Sequence, residues 1–158
     1  VLEGLLKPMN EAVNMVNAPV VAKERNIKVS EVKSETEGDY HTLVRLTVTT
    51  DKRERSVAGT LFGGDKARVV EIKGISIEAE LGSNMLYVTN QDKPGFIGAL
   101  GTLLGANGVN IATFHLGRAE AGGDAILLTQ VDQPVSPELL EKVRALPQVV
   151  QAKFLTFA

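Results

Sequence analysis

The run Asn90-Gln91-Asp92-Lys93-Pro94-Gly95 places an amide, a carboxylate and an ammonium in a loop that opens a helix. Unpaired amides in the first turn of a helix attract a carboxylate. An acidic side chain beside them suits a ligand that carries both charges, its ammonium on Asp92 and its carboxylate on backbone donors or amide side chains. Two simpler readings stand beside this one. An aspartate just before a helix is an ordinary N-cap. The glycines at 95, 98, 101 and 105 strip side chains from one helix face and permit close approach of a sheet or of a ligand, at roughly 1 kcal/mol of helix propensity each, so packing alone accounts for them equally well.

Catalytic constellations are poor. His41 and His115 are the only histidines, no HExxH or GxGxxG motif is present, and the absence of cysteine removes thiolate nucleophiles, disulfides and cysteine-held metals. Gly59-Thr60-Leu61-Phe62-Gly63-Gly64 lacks the GK[ST] of a phosphate loop and reads as a turn. The chain itself is therefore expected to be non-catalytic, with no cofactor and no metal. Seventeen basic against nineteen acidic residues give a net charge of -2, which argues against nucleic acid or an anionic membrane as partner. The stretch from Pro94 to Ala119 has about fourteen helix-like residues, and a membrane span needs about twenty. Residues 1–10 lack the basic start and apolar run of a signal peptide, so a cytoplasmic location is expected. The chain opens inside an apolar segment (Leu2, Leu5, Leu6) without a methionine, which fits a piece of a longer protein whose catalytic machinery lies upstream.

These residues need elements to hold them. Ala12, Val13, Val16, Val20 and Val21 fit a helical face over 10–25, interrupted at Pro19 into two short pieces. A weak strand over 27–35 and a polar turn over 35–39 follow. Val44, Leu46 and Val48 alternate with polar residues as a strand with one wet face. Asp51-Lys52 turns the chain into a strand over 54–61, and Lys73-Gly74 separates strands at 69–72 and 75–81. Gly82-Ser83-Asn84 marks a boundary between a first domain, residues 1–82, and a second, residues 83–158. In the second, a strand over 85–89 precedes a helix over 94–106 that begins at Pro94 and is ended by Asn107-Gly108. Strands over 109–116 and 125–131 come next. Ser136 caps a helix that Pro147 ends, and a strand over 148–157 closes the chain. The order strand, helix, strand, strand, helix, strand predicts an α+β, ferredoxin-like βαββαβ domain after a mixed first domain. Its open sheet edges favour pairing with a second copy.

The segments 87–95 (YVTNQDKPG) and 105–111 (GANGVNI) resemble the ACT domain, a ferredoxin-like module that senses amino acids. The segment 14–25 (NMVNAPVVAKER) resembles the intervening domain of the long bacterial form of D-3-phosphoglycerate dehydrogenase, and together the two resemblances cover essentially the whole chain. The resemblance implies feedback inhibition by L-serine bound where two ACT domains pair side by side. NAD and 3-phosphoglycerate would be handled by catalytic domains of the parent chain. It places Asn90, Asp92 and Asn110 at the effector, Asp92 holding the ammonium and Asn110 reaching across the interface. Amides of Pro94, Gly95, Phe96 and Ile97 would lie near the carboxylate, proline contributing backbone position only. Asn90 departs from the His or Tyr common in relatives. Some relatives carry a second, basic effector site, of which Arg68 retains one position while Glu80 and Thr129 replace two others; a solvated strand-edge role also accounts for Arg68. The alternatives are a structural oligomerisation module without ligand, and a subunit of another serine-handling protein such as a serine dehydratase.

Overall fold

The computed structural model describes residues 1–33, 40 and 42–157. The polar turn expected at 35–39, the last residues of the weak strand and His41 lie outside these. The chain forms two compact units, 1–37 and 38–158.

In the first unit, α1 (Leu2–Leu6) runs into a 3-10 turn (Lys7–Met9), and α2 (Ala18–Glu24) follows. Leu6, Val13, Ala18 and Ala22 form its small core. The helical face expected over 10–25 is replaced by turns up to residue 17. The Asn10 carboxamide accepts from Ala12 N–H, Asn14 from Val16 N–H and Asn17 from Asn14 N–H, at 2.8 to 3.1 Å. Short amide side chains that satisfy nearby backbone donors in this way compete with helix. Pro19 therefore sits in the first turn of α2, where its missing N–H costs nothing, and does not break a longer helix. Val16 and Val20, assigned to the apolar face, are exposed. Residues 27–33 form no strand.

The second unit holds two antiparallel four-stranded sheets. β1 (Leu43–Thr49), β2 (Glu54–Phe62), β3 (Lys66–Ile72) and β4 (Ile75–Glu80) make a meander in sequence order. Residues 59–62 belong to β2, so the turn expected over 59–64 is confined to its end, where Gly63 and Gly64 take positive φ. The Lys73-Gly74 turn has positive φ at both residues, the backbone twist that suits a tight hairpin.

The other sheet comprises β5 (Asn84–Gln91), β6 (Ile111–Arg118), β7 (Asp124–Val131) and β8 (Val149–Thr156) in the order β6-β7-β5-β8. With α3 (Phe96–Ala106) and α4 (Pro137–Arg144) it completes the expected βαββαβ domain. Alternate residues of β5 and β7 feed two cores. Leu86, Val88, Leu127 and Val131 meet Phe96, Leu100, Leu104, Leu139 and Val143 of the helices. Met85, Ile126 and Leu128 meet Ile75, Ile77 and Ala79 of β4 on the opposite face. The Ser136 hydroxyl accepts from Leu139 N–H at 3.2 Å and caps α4 as expected.

Two expectations about α3 change. The helix starts at Phe96 because Gly95, at φ 95°, reverses the chain just before it, which leaves Pro94 outside. Gly98, Gly101 and Gly105 do not pack on the sheet, since a Cβ at any of them would meet nothing within 4 Å. Gly117, by contrast, is a glycine that packing demands. A Cβ there would fall on the Ser76 carbonyl oxygen, where β6 and β4 cross without a side chain between them. Gly117→Ala is expected to lower stability by roughly 1–3 kcal/mol, the usual range for overpacking. Gly105→Ala, in open space on a helix, should instead gain about 0.5–1 kcal/mol. Urea midpoints of the two variants compared with the parent chain check both signs.

Candidate functional site

Asn90 and Asp92 sit where β5 runs into α3. Asn90 is 2% exposed. Its Nδ2 donates to the Gln91 carbonyl at 2.9 Å, while its buried Oδ1 has no partner among the described residues. An unmet buried acceptor costs about 1–3 kcal/mol, so this oxygen favours a donor brought by water or by a ligand.

Asp92 does not cap α3, whose N-terminus has no side-chain cap. Its backbone N–H donates to the Gly123 carbonyl at 2.8 Å, which holds the loop against the β6–β7 turn. Its Oδ2 accepts from Arg118 Nη1 at 2.9 Å and from Gly122 N–H at 3.3 Å. The Arg118 hydrogen bond and then the Gly122 amide hold the Asp92 carboxyl below the usual carboxylate range, against partial burial. It is an anion at neutral pH. Arg118 is the residue beside the candidate site that sequence reasoning missed: it lies 26 positions from Asp92, and only the register of β5, β7 and β6 brings them together.

The amides at the start of α3 meet the condition set by the sequence. With no side-chain cap, the N–H groups of Phe96 and Ile97 are left to solvent or ligand at the positive end of the helix. Ile97 is half exposed beside them.

Asn110 lies elsewhere. Its N–H donates to Gln133 Oε1 at 2.8 Å and its Nδ2 to Asp132 Oδ2 at 2.7 Å, just before β6 begins. Gln91 pairs with Asp124 at the start of β7, whereas Ile111 pairs with Val131 at its end. Seven strand steps at about 3.3 Å each separate these positions by roughly 23 Å. The structure thus places Asn90, Asp92 and the α3 amides along one stretch where β5 runs into α3, and leaves Asn110 at the far end of the sheet. β6 is an edge strand, paired only with β7, and its two ends carry Asn110 and Arg118.

The positions Arg68, Glu80 and Thr129 are internally engaged. Arg68 and Glu80 face each other across β3 and β4, with Nη2 3.5 Å from Oε2, and the guanidinium lies 5.2 Å from the Phe62 ring centre. Thr129 is fully buried and its hydroxyl donates to the Thr113 carbonyl. Arg68 is therefore paired and stacked, unlike a solvated edge arginine.

The family model for the D-3-phosphoglycerate dehydrogenase intervening domain matches residues 1–73, and that for the ACT domain matches residues 84–148. D-3-phosphoglycerate dehydrogenase of Bacillus subtilis is 37% identical over 155 residues, covering 98% of this chain and 30% of the relative. The enzymes of that name from Methanocaldococcus jannaschii and Archaeoglobus fulgidus are 35% and 34% identical, covering 94% and 98% of the chain and 28% and 30% of their own lengths. The chain spans about a third of the length of these relatives or slightly less. With both domain types matched and almost every residue aligned, the chain belongs to the intervening-plus-ACT regulatory region of the D-3-phosphoglycerate dehydrogenase family.

Proposed function

We propose that this chain is a regulatory module that binds L-serine between paired ACT domains and carries feedback inhibition to a cytoplasmic D-3-phosphoglycerate dehydrogenase. NAD and 3-phosphoglycerate chemistry is assigned to catalytic domains elsewhere in that longer protein, and residues 1–82 and 83–158 are taken as the intervening and ACT domains. The observation that carries the reading is the placement of polar residues at opposite ends of an edge strand whose outer side is free. When two β6 edges pair antiparallel about a two-fold axis, the start of one strand lies opposite the end of the other. Asn110 of one chain then approaches Asp92 and the α3 amides of its partner, although within a chain they lie roughly 23 Å apart.

The chemistry of that composite site fits a small zwitterion. Asp92 supplies an anion for the ammonium, the Phe96 and Ile97 amides serve the carboxylate, and the unmet Asn90 oxygen can accept one more hydrogen bond. Arg118 pairs with Asp92. Exposed pairs contribute only about 0–1 kcal/mol, so an incoming ammonium displaces or shares this contact at little cost. Regulation then follows from population shift. Serine must bind one arrangement of the paired domains more tightly than the other, and a tenfold preference per site corresponds to about 1.4 kcal/mol.

Calorimetric titration with L-serine, glycine, L-alanine and D-serine tests the reading. Saturable, stereoselective serine binding is expected, lost in Asp92→Ala and in Asn110→Ala. Mixing the two variants should restore sites at about a quarter of the parental number, because only mixed dimers carry one site with both residues intact. A verified dimer that takes up no serine would leave the structural oligomerisation module as the function. Serine binding that does not return on mixing would place Asp92 and Asn110 in separate roles.

A further inference from the structure

The two ends of the β6 edge carry opposite charges. Arg118 closes the strand, and its side chain is 59% exposed. Asp132, exposed just past the end of β7, stands beside the start of β6. Its N–H donates to the Asn110 carbonyl at 3.1 Å, and its Oδ2 accepts from Asn110 Nδ2 at 2.7 Å. Between these two ends, residues 111–117 include no aspartate, glutamate, lysine or arginine.

Neither group is saturated within the chain. A guanidinium has five N–H donors, and Asp92 engages Arg118 through Nη1 alone. Asp132 forms no ion pair among the described residues, and only its Oδ2 accepts a hydrogen bond among them. Reach is met as well. Arg118 lies opposite Ala125 on β7, and Ala125 lies opposite Asn90 on β5, so the guanidinium already crosses two strand spacings, roughly 10 Å, to Asp92 just past β5. When two β6 edges pair antiparallel with Asn110 of one chain at the level of Arg118 of the other, the end of β7 that bears Asp132 is again two strand spacings from that arginine. Two-fold symmetry makes the contact twice.

We propose that Arg118 forms an ion pair with Asp132 of the partner subunit across the paired β6 edges. The inference rests on the edge pairing of the proposed function and supplies what that pairing lacks, a reason for one direction and one register. Backbone hydrogen bonds alone allow an edge to slip, and a parallel pairing would set Arg118 beside Arg118 and Asp132 beside Asp132. The antiparallel register joins opposite charges at both ends. The same contact bears on the effector. A guanidinium drawn toward Asp132 of the partner subunit loosens from Asp92, which leaves that carboxylate open to an ammonium in the paired state. Pairing and effector binding then strengthen each other, as linkage requires.

The test is sedimentation of the whole chain as the parent, as Arg118→Asp, as Asp132→Arg and as an equimolar mixture of the two variants, with thermal unfolding of each to establish that it is folded. Either variant alone sets two like-charge contacts across the interface and is expected to raise the dimer dissociation constant at least about tenfold. In a mixed dimer both contacts join opposite charges again, so mixing should return dimers to near the parental strength, and so should both changes in one chain. Mixing Arg118→Asp with Asp51→Arg, whose charge change lies in the β1–β2 turn, should leave dimers weak. Arg118→Gln and Asp132→Asn bring in no new charge, and their combined effect should be smaller than the product of the two single effects. A parent dimer that neither reversal weakens, that mixing does not restore, or that Asp51→Arg restores equally well overturns the ion pair and leaves the edge pairing standing. A parent chain that stays monomeric with and without L-serine overturns the edge pairing itself, and the ion pair with it.

Discussion

The central strands of the ACT sheet are covered on both faces, and the rest of the second unit follows from that. Its central strands β5 and β7 present Leu86, Val88 and Leu127 to the helices and Met85, Ile126 and Leu128 to β4. Each fully buried aliphatic side chain of this kind contributes about 1.5–3 kcal/mol relative to exposure. With its central strands covered on both faces, the sheet is left its edges and the ends of its strands for pairing with another sheet. The candidate effector site lies at a strand end, and the strand that would complete it, β6, lies at an edge.

Double burial also explains which parts were legible in the sequence. Strands buried on both sides read as continuous apolar runs, as Met85-Leu86-Tyr87-Val88 and Ala125-Ile126-Leu127-Leu128 do. The alternation of Ile75, Ile77 and Ala79 with polar residues matches their burial in β4. Ser136 and Asn107-Gly108 act through local backbone chemistry, so their roles could be read locally. The misreadings arose where side chains override periodicity. Three asparagines turn residues 10–17 out of a helix, and a left-handed Gly95 moves the start of α3 past Pro94. The glycines of α3 matched a packing stripe in one dimension, yet they face open space.

The site divides along the same line. Asn90 and Asp92 were legible because a loop before a helix is a local feature. Arg118 was not, because its partner is reached only through two strand registers. Asn110 was named through resemblance alone. Its position relative to Asp92 gives that assignment a geometric condition: the two can serve one ligand only when contributed by different chains.

The same packing gives a route by which events at the β6 edge reach the intervening sheet. Side chains usually buffer sheet-on-sheet contacts at about 10 Å, but at Gly117 the β6 backbone approaches the Ser76 carbonyl with nothing between. Ile75, adjacent to that contact, belongs to the core beneath Ile126 and Leu128. β4 is hydrogen-bonded to β3, whose Arg68 and Val69 pair with Glu80 and Ala79. On the proposed reading, a small shift of β6 on pairing of two edges around a ligand would bear directly on β4, since close-packed backbone has no rotamer with which to absorb it. On the proposed reading, Gly117 makes the ACT edge and the intervening sheet a single mechanical element, and an effector bound at the edge can alter the placement of residues far from it.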